Sequence, residues 1–384
     1  MCYNIQAMKK GILIATLAAL SGAITGCDPS DGSKELESGR EAYAIGDLKK
    51  ADKMLSKSLE LSPGGVDALL LLARVKSDLG ETAAATNLAA RAAAVAGDDA
   101  DVRLVGAQTA WRAKDIDLAA KLFTSVANDT KLEPAIRAQG WTGLGVVEMS
   151  RERQHLARIA FMRAIRLDRR NAAAWYHLGL VYRDAFGYYE PALEQFEIFV
   201  RLETSADPRV QRVQRTIIPA LKDTIARETA NRAGVSKRDS NASAASLAKA
   251  EAAWKKGSVK LARDAYQAAL SSDPLSFQAA SGLAKAWLKA DTTKTGQVKA
   301  LEAYKTACSL RPSAISTFLA AGDLAARLGY HAQAVEIFSR AVAASPASIQ
   351  ALDGLIRALQ RAGGQKSAAQ AYQLYRESIP LKRK

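Results

Sequence analysis

The chain has 384 residues, 48% of them hydrophobic and 24% charged, a balance ordinary for globular protein that excludes a disordered chain. Its formal charge is +15, with three cysteines and three histidines. So few cysteines leave no disulfide framework, and so strong a basic balance asks for an anionic partner or surface.

The first element is a targeting segment. Gly11 to Gly26 is uncharged and rich in Leu, Ile and Ala. It is shorter than the roughly 20 apolar residues a membrane span needs, and it reads as the core of a signal peptide. Lys9 and Lys10 supply the positive flank, and Met8 makes a more natural start than Met1. The stretch ends in Ile24-Thr25-Gly26-Cys27, which resembles the lipobox of bacterial lipoproteins. That resemblance implies that residues 1–26 are removed, that the Cys27 thiol receives a diacylglycerol, and that the new amino terminus takes a palmitate-type acyl chain. Several chains together anchor stably where one is marginal. Residues 27–33 are then a short tether. The expected location is an exported lipoprotein facing the periplasm, anchored in the inner or outer membrane. Asp28 resembles the enterobacterial signal for inner-membrane retention. The alternative is a short apolar helix with an incidental cysteine.

From Ser33 onward, helix-length apolar patterns alternate with small or polar turns. A shift of 34 residues superposes Gly46 on Gly80, Ala51 on Ala85 and Ala119, and Leu55 on Ala89 and Phe123, so one unit is being reused. Each unit holds two helix-length segments and ends in proline or a polar breaker, as Pro63 ends the first. The predicted fold class is all-α, a helix-turn-helix solenoid in two blocks. Five repeats cover 34–204, a capping or bridging helix 205–232, a linker 233–246 and four repeats 247–380. In the bridge, Asp207-Pro208 reads as N-cap and first residue, and Val210, Val213, Ile217, Leu221 and Ile225 form a stripe expected to cover the open end of the fifth repeat. Small and polar residues from Ala233 to Ser246 set the linker. The stretch from Asp291 to Gln297 is expected to lengthen one turn by about four residues.

Trp141, Leu144, Gly145, Ala157, Phe161 and Ala164 fit one unit. Trp175, Leu178, Gly179 and Tyr182 open the next, followed after a one-residue insertion by Ala192 and Phe196. Later units repeat Ala262, Tyr266, Ala269 and Pro274; Ala300, Tyr304, Ala307 and Pro312; Ala334, Phe338, Ala341 and Pro346; and Ala368, Tyr372 and Pro380. This pattern resembles the tetratricopeptide repeat. Ala73 and Ala107 depart from it where glycine is expected.

In that family the first helix of each repeat lines a groove that holds segments of partner proteins. The resemblance therefore implies a groove carrying Tyr43, Leu70, Arg74, Leu104, Gln108, Trp111, Arg112, Met149, Tyr176, His177, Leu180 and Arg183 in the first block. In the second it implies Trp254, Lys255, Lys285, Lys289, Arg327, Arg357 and Arg361. Aromatic and Arg residues are what protein-binding surfaces enrich. For single residues such as Tyr43 and Trp111 the competing reading is packing against adjacent helices. The basic second block favours extended or helical partner segments of acidic character. A known carboxylate clamp of the family is absent, since its positions hold Leu36, Arg40 and Leu71.

His155, His177 and His331 are scattered, and no phosphate loop or metal-spaced Cys/His cluster occurs, so neither catalysis, cofactor, metal nor small-molecule substrate is expected. Cys308, inside an apolar pattern, reads as a small core side chain. Export argues against nucleic acid as the basic chain's partner. The function these readings imply is a membrane-anchored adaptor in an envelope assembly such as a pilus, polysaccharide-export or cell-wall complex. The alternatives are a glycan-binding or enzymatic accessory and a basic module at the membrane surface.

Overall fold

The computed structural model describes residues 31–203, 207–234 and 239–379, and the regular structure in them is helical. The lipobox with Cys27 and Asp28, and Pro380 with the basic tail, lie outside the described residues. Five helix pairs come first: α1 (Ser33–Ala44) with α2 (Leu48–Leu61), α3 (Val66–Asp78) with α4 (Thr82–Ala96), α5 (Ala100–Arg112) with α6 (Ile116–Asn128), α7 (Pro134–Ser150) with α8 (Gln154–Leu167), and α9 (Ala172–Leu180) with α10 (Tyr189–Leu202). After α11 (Pro208–Arg212) and α12 (Ile218–Gly234) come four more: α13 (Ser240–Lys255) with α14 (Val259–Ser272), α15 (Phe277–Ala290) with α16 (Lys294–Leu310), α17 (Ile315–Arg327) with α18 (His331–Ala344), and α19 (Ile349–Ala362) with α20 (Lys366–Glu377). First helices of consecutive pairs also touch, α1 with α3, α3 with α5, α5 with α7, α7 with α9, and α17 with α19.

The turns inside most pairs use a left-handed residue. Gly46, Gly80, Gly257 and Gly329 supply it at φ between 76° and 84°, where glycine has no Cβ penalty. Lys114 and Glu152 take the same role at φ 65° and 58° and bear that penalty. Asp47 and Asp115 then cap the following helix through their side-chain oxygens, as Asn171 does between pairs at the start of α9.

Packing follows from size. Ala51, Ala85, Ala119, Ala157, Ala262, Ala300 and Ala334 are all buried and let the paired helices approach. Where a first helix carries glycine, an aromatic ring of a second helix lies against its backbone: a Cβ added at Gly145 would stand 2.4 Å from Phe161 of the same pair, and one at Gly282 2.4 Å from Tyr266 of the preceding pair. Ala73 stands in the glycine position and Ala89 in the aromatic one, and both are buried in the same core cluster. The pair trades ring volume for a methyl.

Two departures change the reading. The one-residue insertion after Tyr182 falls at a π-helical turn, Val181–Ala185, the local winding that takes up an extra residue. The residues from Asp291 lengthen a helix rather than a turn: α16 starts at Lys294, Thr293 caps it by accepting from the Gly296 N–H at 3.3 Å, and the helix runs 17 residues.

The chain forms two compact units. One takes the described residues up to Val181 with Gln195–Arg215; the other takes Tyr182–Glu194 and the described residues from Thr216. These boundaries differ from the expected division at 204. The expected linker is also shorter than 233–246. Asp239 caps α13 by accepting from the Ala242 N–H at 2.9 Å, so Ser240 to Ser246 is helix, favoured by its alanines. In the bridge, Val210, Val213, Ile217 and Leu221 are buried and Ile225 half-buried.

Candidate functional site

In the first unit, several of the proposed groove residues are engaged by neighbouring side chains. The Tyr43 hydroxyl of α1 donates to Asp78 Oδ2 of α3 at 2.9 Å, and Arg112 of α5 donates to Asp78 Oδ1 at 2.5 Å and to Ser77 Oγ at 3.2 Å. Burial, then the Asp78 charge, pushes the Tyr43 phenol above its ordinary range. Arg74 lies half-buried beside this ladder, and burial lowers its guanidinium. Trp111 packs on the cluster of Leu104, Ala107 and Phe123, and Gln108 is half-buried. Leu70, Leu104 and Tyr43 are buried in the core, which corrects their placement on an open groove: packing side chains exclude water from them.

His177 is corrected for the same reason. It is 4% exposed, with its ring stacked on Phe161 at 5.5 Å and edge-on to Tyr176 at 5.3 Å. Burial, then the Arg209 charge, lowers its imidazole to about 3, so it is neutral. Tyr176 is held between Phe199 at 5.1 Å and the Arg209 guanidinium at 5.7 Å, and Asp207 fixes Arg209 through Oδ2 at 2.6 Å. Arg183 pairs with its neighbour Asp184 at 2.5 Å. Met149 and Leu180 are half-buried.

The second unit differs. Trp254 is half-buried with the Lys289 ammonium 5.2 Å over its ring, and Lys255, Lys285, Lys289, Arg327, Arg357 and Arg361 are at least partly exposed. Three of them converge: Arg327, Arg357 and Arg361 line a cleft of about 430 Å³ together with Asp323. Leu288 of α15, Phe338 and small residues of α17 and α19 complete its lining. Asp323 lies 3.9 Å from Arg357. Residues 207–384 hold 28 Lys and Arg against 13 Asp and Glu, a surplus equal to the whole chain's +15.

Asp78, Asp323 and Phe338 were not singled out from sequence as groove residues. The signal for the two aspartates lies in the repeat register: Asp78 is 34 residues before Arg112, and Asp323 is 34 after Lys289 and 34 before Arg357. Among the described residues no group of His, Cys, Asp and Glu is arranged to hold a metal ion, and no helix is long and apolar enough to cross a membrane. Burial pushes the Cys308 thiol up to about 12, as befits a core side chain.

Models of the tetratricopeptide repeat match residues 42–109 and 247–315. These are tetratricopeptide repeats. Such repeats bind protein partners and are typically scaffolds rather than catalysts. Similar solved structures include pilF of Pseudomonas aeruginosa, at 17% identity over 65% of this chain and 95% of that one with a TM-score of 0.41. A thermophilic repeat protein of Thermus thermophilus gives 17% identity over 49% and 99%, TM-score 0.43. MamA gives 20% over 43% and 93%, TM-score 0.35. No curated protein matches the chain.

Proposed function

We propose that this tetratricopeptide-repeat chain is a lipid-anchored adaptor of the cell envelope. Acyl chains at Cys27 hold it to the membrane, and its second repeat block binds acidic segments of partner proteins in a pilus, polysaccharide-export or cell-wall assembly. The observation that carries the binding half is the cleft where Arg327, Arg357 and Arg361 converge with one carboxylate, Asp323, among them. Uncompensated guanidinium groups beside an apolar floor are the chemistry that recognises acidic protein surfaces. The first block supports this less, because Tyr43 and Arg112 are engaged with Asp78.

The anchor rests on the order of basic flank, apolar core and lipobox-like Ile24-Thr25-Gly26-Cys27. Crosslinking from an exposed cleft position in native cells tests the binding reading. The wild type captures partner protein and Arg327→Gln/Arg361→Gln loses it; an unchanged captured set in the variant overturns it. Cys27→Ala should release the exported chain from membranes, and retention at the membrane would remove the anchor.

A further inference from the structure

The turns of the second unit carry a charge pattern that neither the fold nor the first unit requires. Each first helix runs toward its intra-pair turn and each second helix runs back, so the turns α13–α14, α15–α16, α17–α18 and α19–α20 share one edge of the unit. Counting each turn with four helical residues on either side, this edge holds eight Lys and Arg against one acid, Asp291. Lys255, Lys256 and Lys260 stand at the first turn, and Lys289 and Lys294 at the second. Arg327 stands at the third, Arg361 and Lys366 at the fourth, and all eight side chains are exposed. The three turns between pairs, on the opposite edge, hold one charge of each sign, Asp273 and Arg311.

In the first unit the same edge is balanced. Its first four pairs hold seven Lys and Arg and eight Asp and Glu at the equivalent positions. Several of these bases are paired: Lys76 with Asp52 and Glu81, Arg112 with Asp78, and Arg151 with Asp117 and Glu148. The second unit's ion pairs lie elsewhere, at Arg263, Lys305, Arg357 and Arg376, and among the described residues none of the eight edge cations has a carboxylate in ion-pair reach. Asp291 turns to its own loop, accepting from the Thr293 hydroxyl at 2.7 Å and the Thr293 N–H at 3.0 Å. Leu261, next to Lys260 in the first turn of α14, is 64% exposed. Cations strung along four successive turns, rather than gathered around one point, match an extended anionic surface. The leucine among them favours lipid over a soluble polyanion, because an apolar side chain gains only where headgroups give way to acyl chains.

We propose that the intra-pair turn edge of the second unit docks on an anionic lipid surface, with its cations at the headgroups and Leu261 at the boundary with the acyl chains. The inference rests on the proposed membrane location for its setting. Acyl chains at Cys27 keep the chain at the bilayer, and the edge fixes which side of the second unit faces it.

The test uses the full chain with Cys27→Ala, so that no acyl chain contributes, and co-sedimentation with vesicles of phosphatidylcholine alone or of phosphatidylcholine and phosphatidylglycerol in equal parts. The apolar leader is common to every sample, so differences between samples report the edge. Lys256→Gln/Lys260→Gln/Lys294→Gln/Lys366→Gln leaves Arg327, Arg361 and the cleft intact and should weaken binding to the mixed vesicles about a hundredfold, from about fivefold per lysine near the surface reduced by screening. Lys49→Gln/Lys50→Gln/Lys121→Gln/Lys131→Gln removes the same charge from exposed positions of the first unit and should change binding by less than about threefold. Molar salt should abolish the preference for mixed vesicles, and Leu261→Asn should weaken it several-fold. Inorganic phosphate and polyphosphate serve as soluble competitors at matched ionic strength. All substituted side chains are exposed, and unchanged circular dichroism verifies folding. Equal loss in the two quadruple variants, equal binding to neutral vesicles, or tighter binding to polyphosphate than to vesicles with no response to Leu261→Asn overturns the proposal. In cells a molar-salt wash separates the two readings, since it strips chain held by the edge and leaves chain held by acyl groups. Retention of Cys27→Ala through that wash removes the anchor and leaves the docking edge, whereas unchanged vesicle binding by the edge variant removes the docking and leaves the anchor.

Discussion

Phe338 offers a test of how the repeats are held together. Its ring is 2% exposed and lies between two glycines, Gly322 of its own repeat and Gly354 of the next. A Cβ at 354 would stand 2.3 Å from Cε1 and one at 322 would stand 2.6 Å from Cζ. Ordinary van der Waals contact begins near 3.4 Å, so Gly354→Ala forces an overlap of about an ångström on a ring blocked on its far side. Overpacking of this kind costs about 1–3 kcal/mol, while alanine gains about 0.8–1 kcal/mol over glycine in a helix interior. The net expectation is a loss of up to about 2 kcal/mol.

Phe338→Leu removes the ring, so the added methyl then occupies vacated space. The double variant should lose less than the sum of the singles, by about 1 kcal/mol. Gly179→Ala should cost less than Gly354→Ala, because its Cβ would lie 3.0 Å from Phe196. Gly64→Ala, where no atom lies within 4 Å, should be neutral within about 0.5 kcal/mol. Urea unfolding followed by circular dichroism reads the energies, and hydrogen exchange in α17–α19 localises them, since two compact units need not unfold in one step. The same effect of Gly354→Ala with and without the Phe338 ring refutes ring-on-glycine packing as the origin of the glycine pattern.

Three further outcomes follow from particular contacts. Asp78→Ala should cost about 1–2 kcal/mol, and the Asp78–Arg112 double-mutant cycle should show coupling that shrinks in molar salt, because both side chains keep about a fifth of their surface in water. Lys114→Gly should stabilise the first unit by up to about 1 kcal/mol, since the left-handed backbone penalty exceeds the entropy glycine adds to the unfolded chain; thermal unfolding would show it as a raised midpoint. His177 is neutral in the fold with its pKa lowered to about 3, whereas the unfolded imidazole titrates near 6.5. Its contribution is therefore complete above about pH 6.5 and is lost as pH falls toward 3, at about 1.4 kcal/mol per pH unit. His177→Phe should flatten that part of the stability profile; an unchanged slope would place the acid sensitivity elsewhere.

Much of the architecture is legible in the sequence because it follows from side-chain size. A repeated alanine opens room for a helix crossing, and a repeated aromatic needs a facing glycine. The 34-residue register carries both. The alanine-rich start of α13 reads as a linker because alanine, serine and asparagine are small or polar there, whereas a capping aspartate one residue earlier turns the same composition into helix. The site is less legible for a different reason. Membership of a first helix says that Tyr43, Trp111 and Arg112 face the side where a groove is expected. It does not say which neighbour reaches them: Asp78 takes Tyr43 and Arg112 from about one register away, and Trp111 packs on the apolar cluster.

That register distinguishes the two blocks physically. Equivalent positions of consecutive repeats sit on adjacent first helices, so charges 34 residues apart face one another. In the first block the series pairs unlike groups, Asp78 with Arg112, and their charges are satisfied internally. In the second block the register holds one unlike pair, Asp323 with Arg357 at 3.9 Å, beside one like pair, Arg327 and Arg361, which line the same cleft. Two such charges about 10 Å apart cost only about 0.4 kcal/mol in water, so the fold tolerates them, but they contribute nothing to holding the repeats together. A partner carboxylate placed between them would exchange that small repulsion for charge-assisted bonds of about 1.5–3 kcal/mol each. On the proposed reading, the same register serves cohesion at its unlike pairs and recognition at the like pair of arginines.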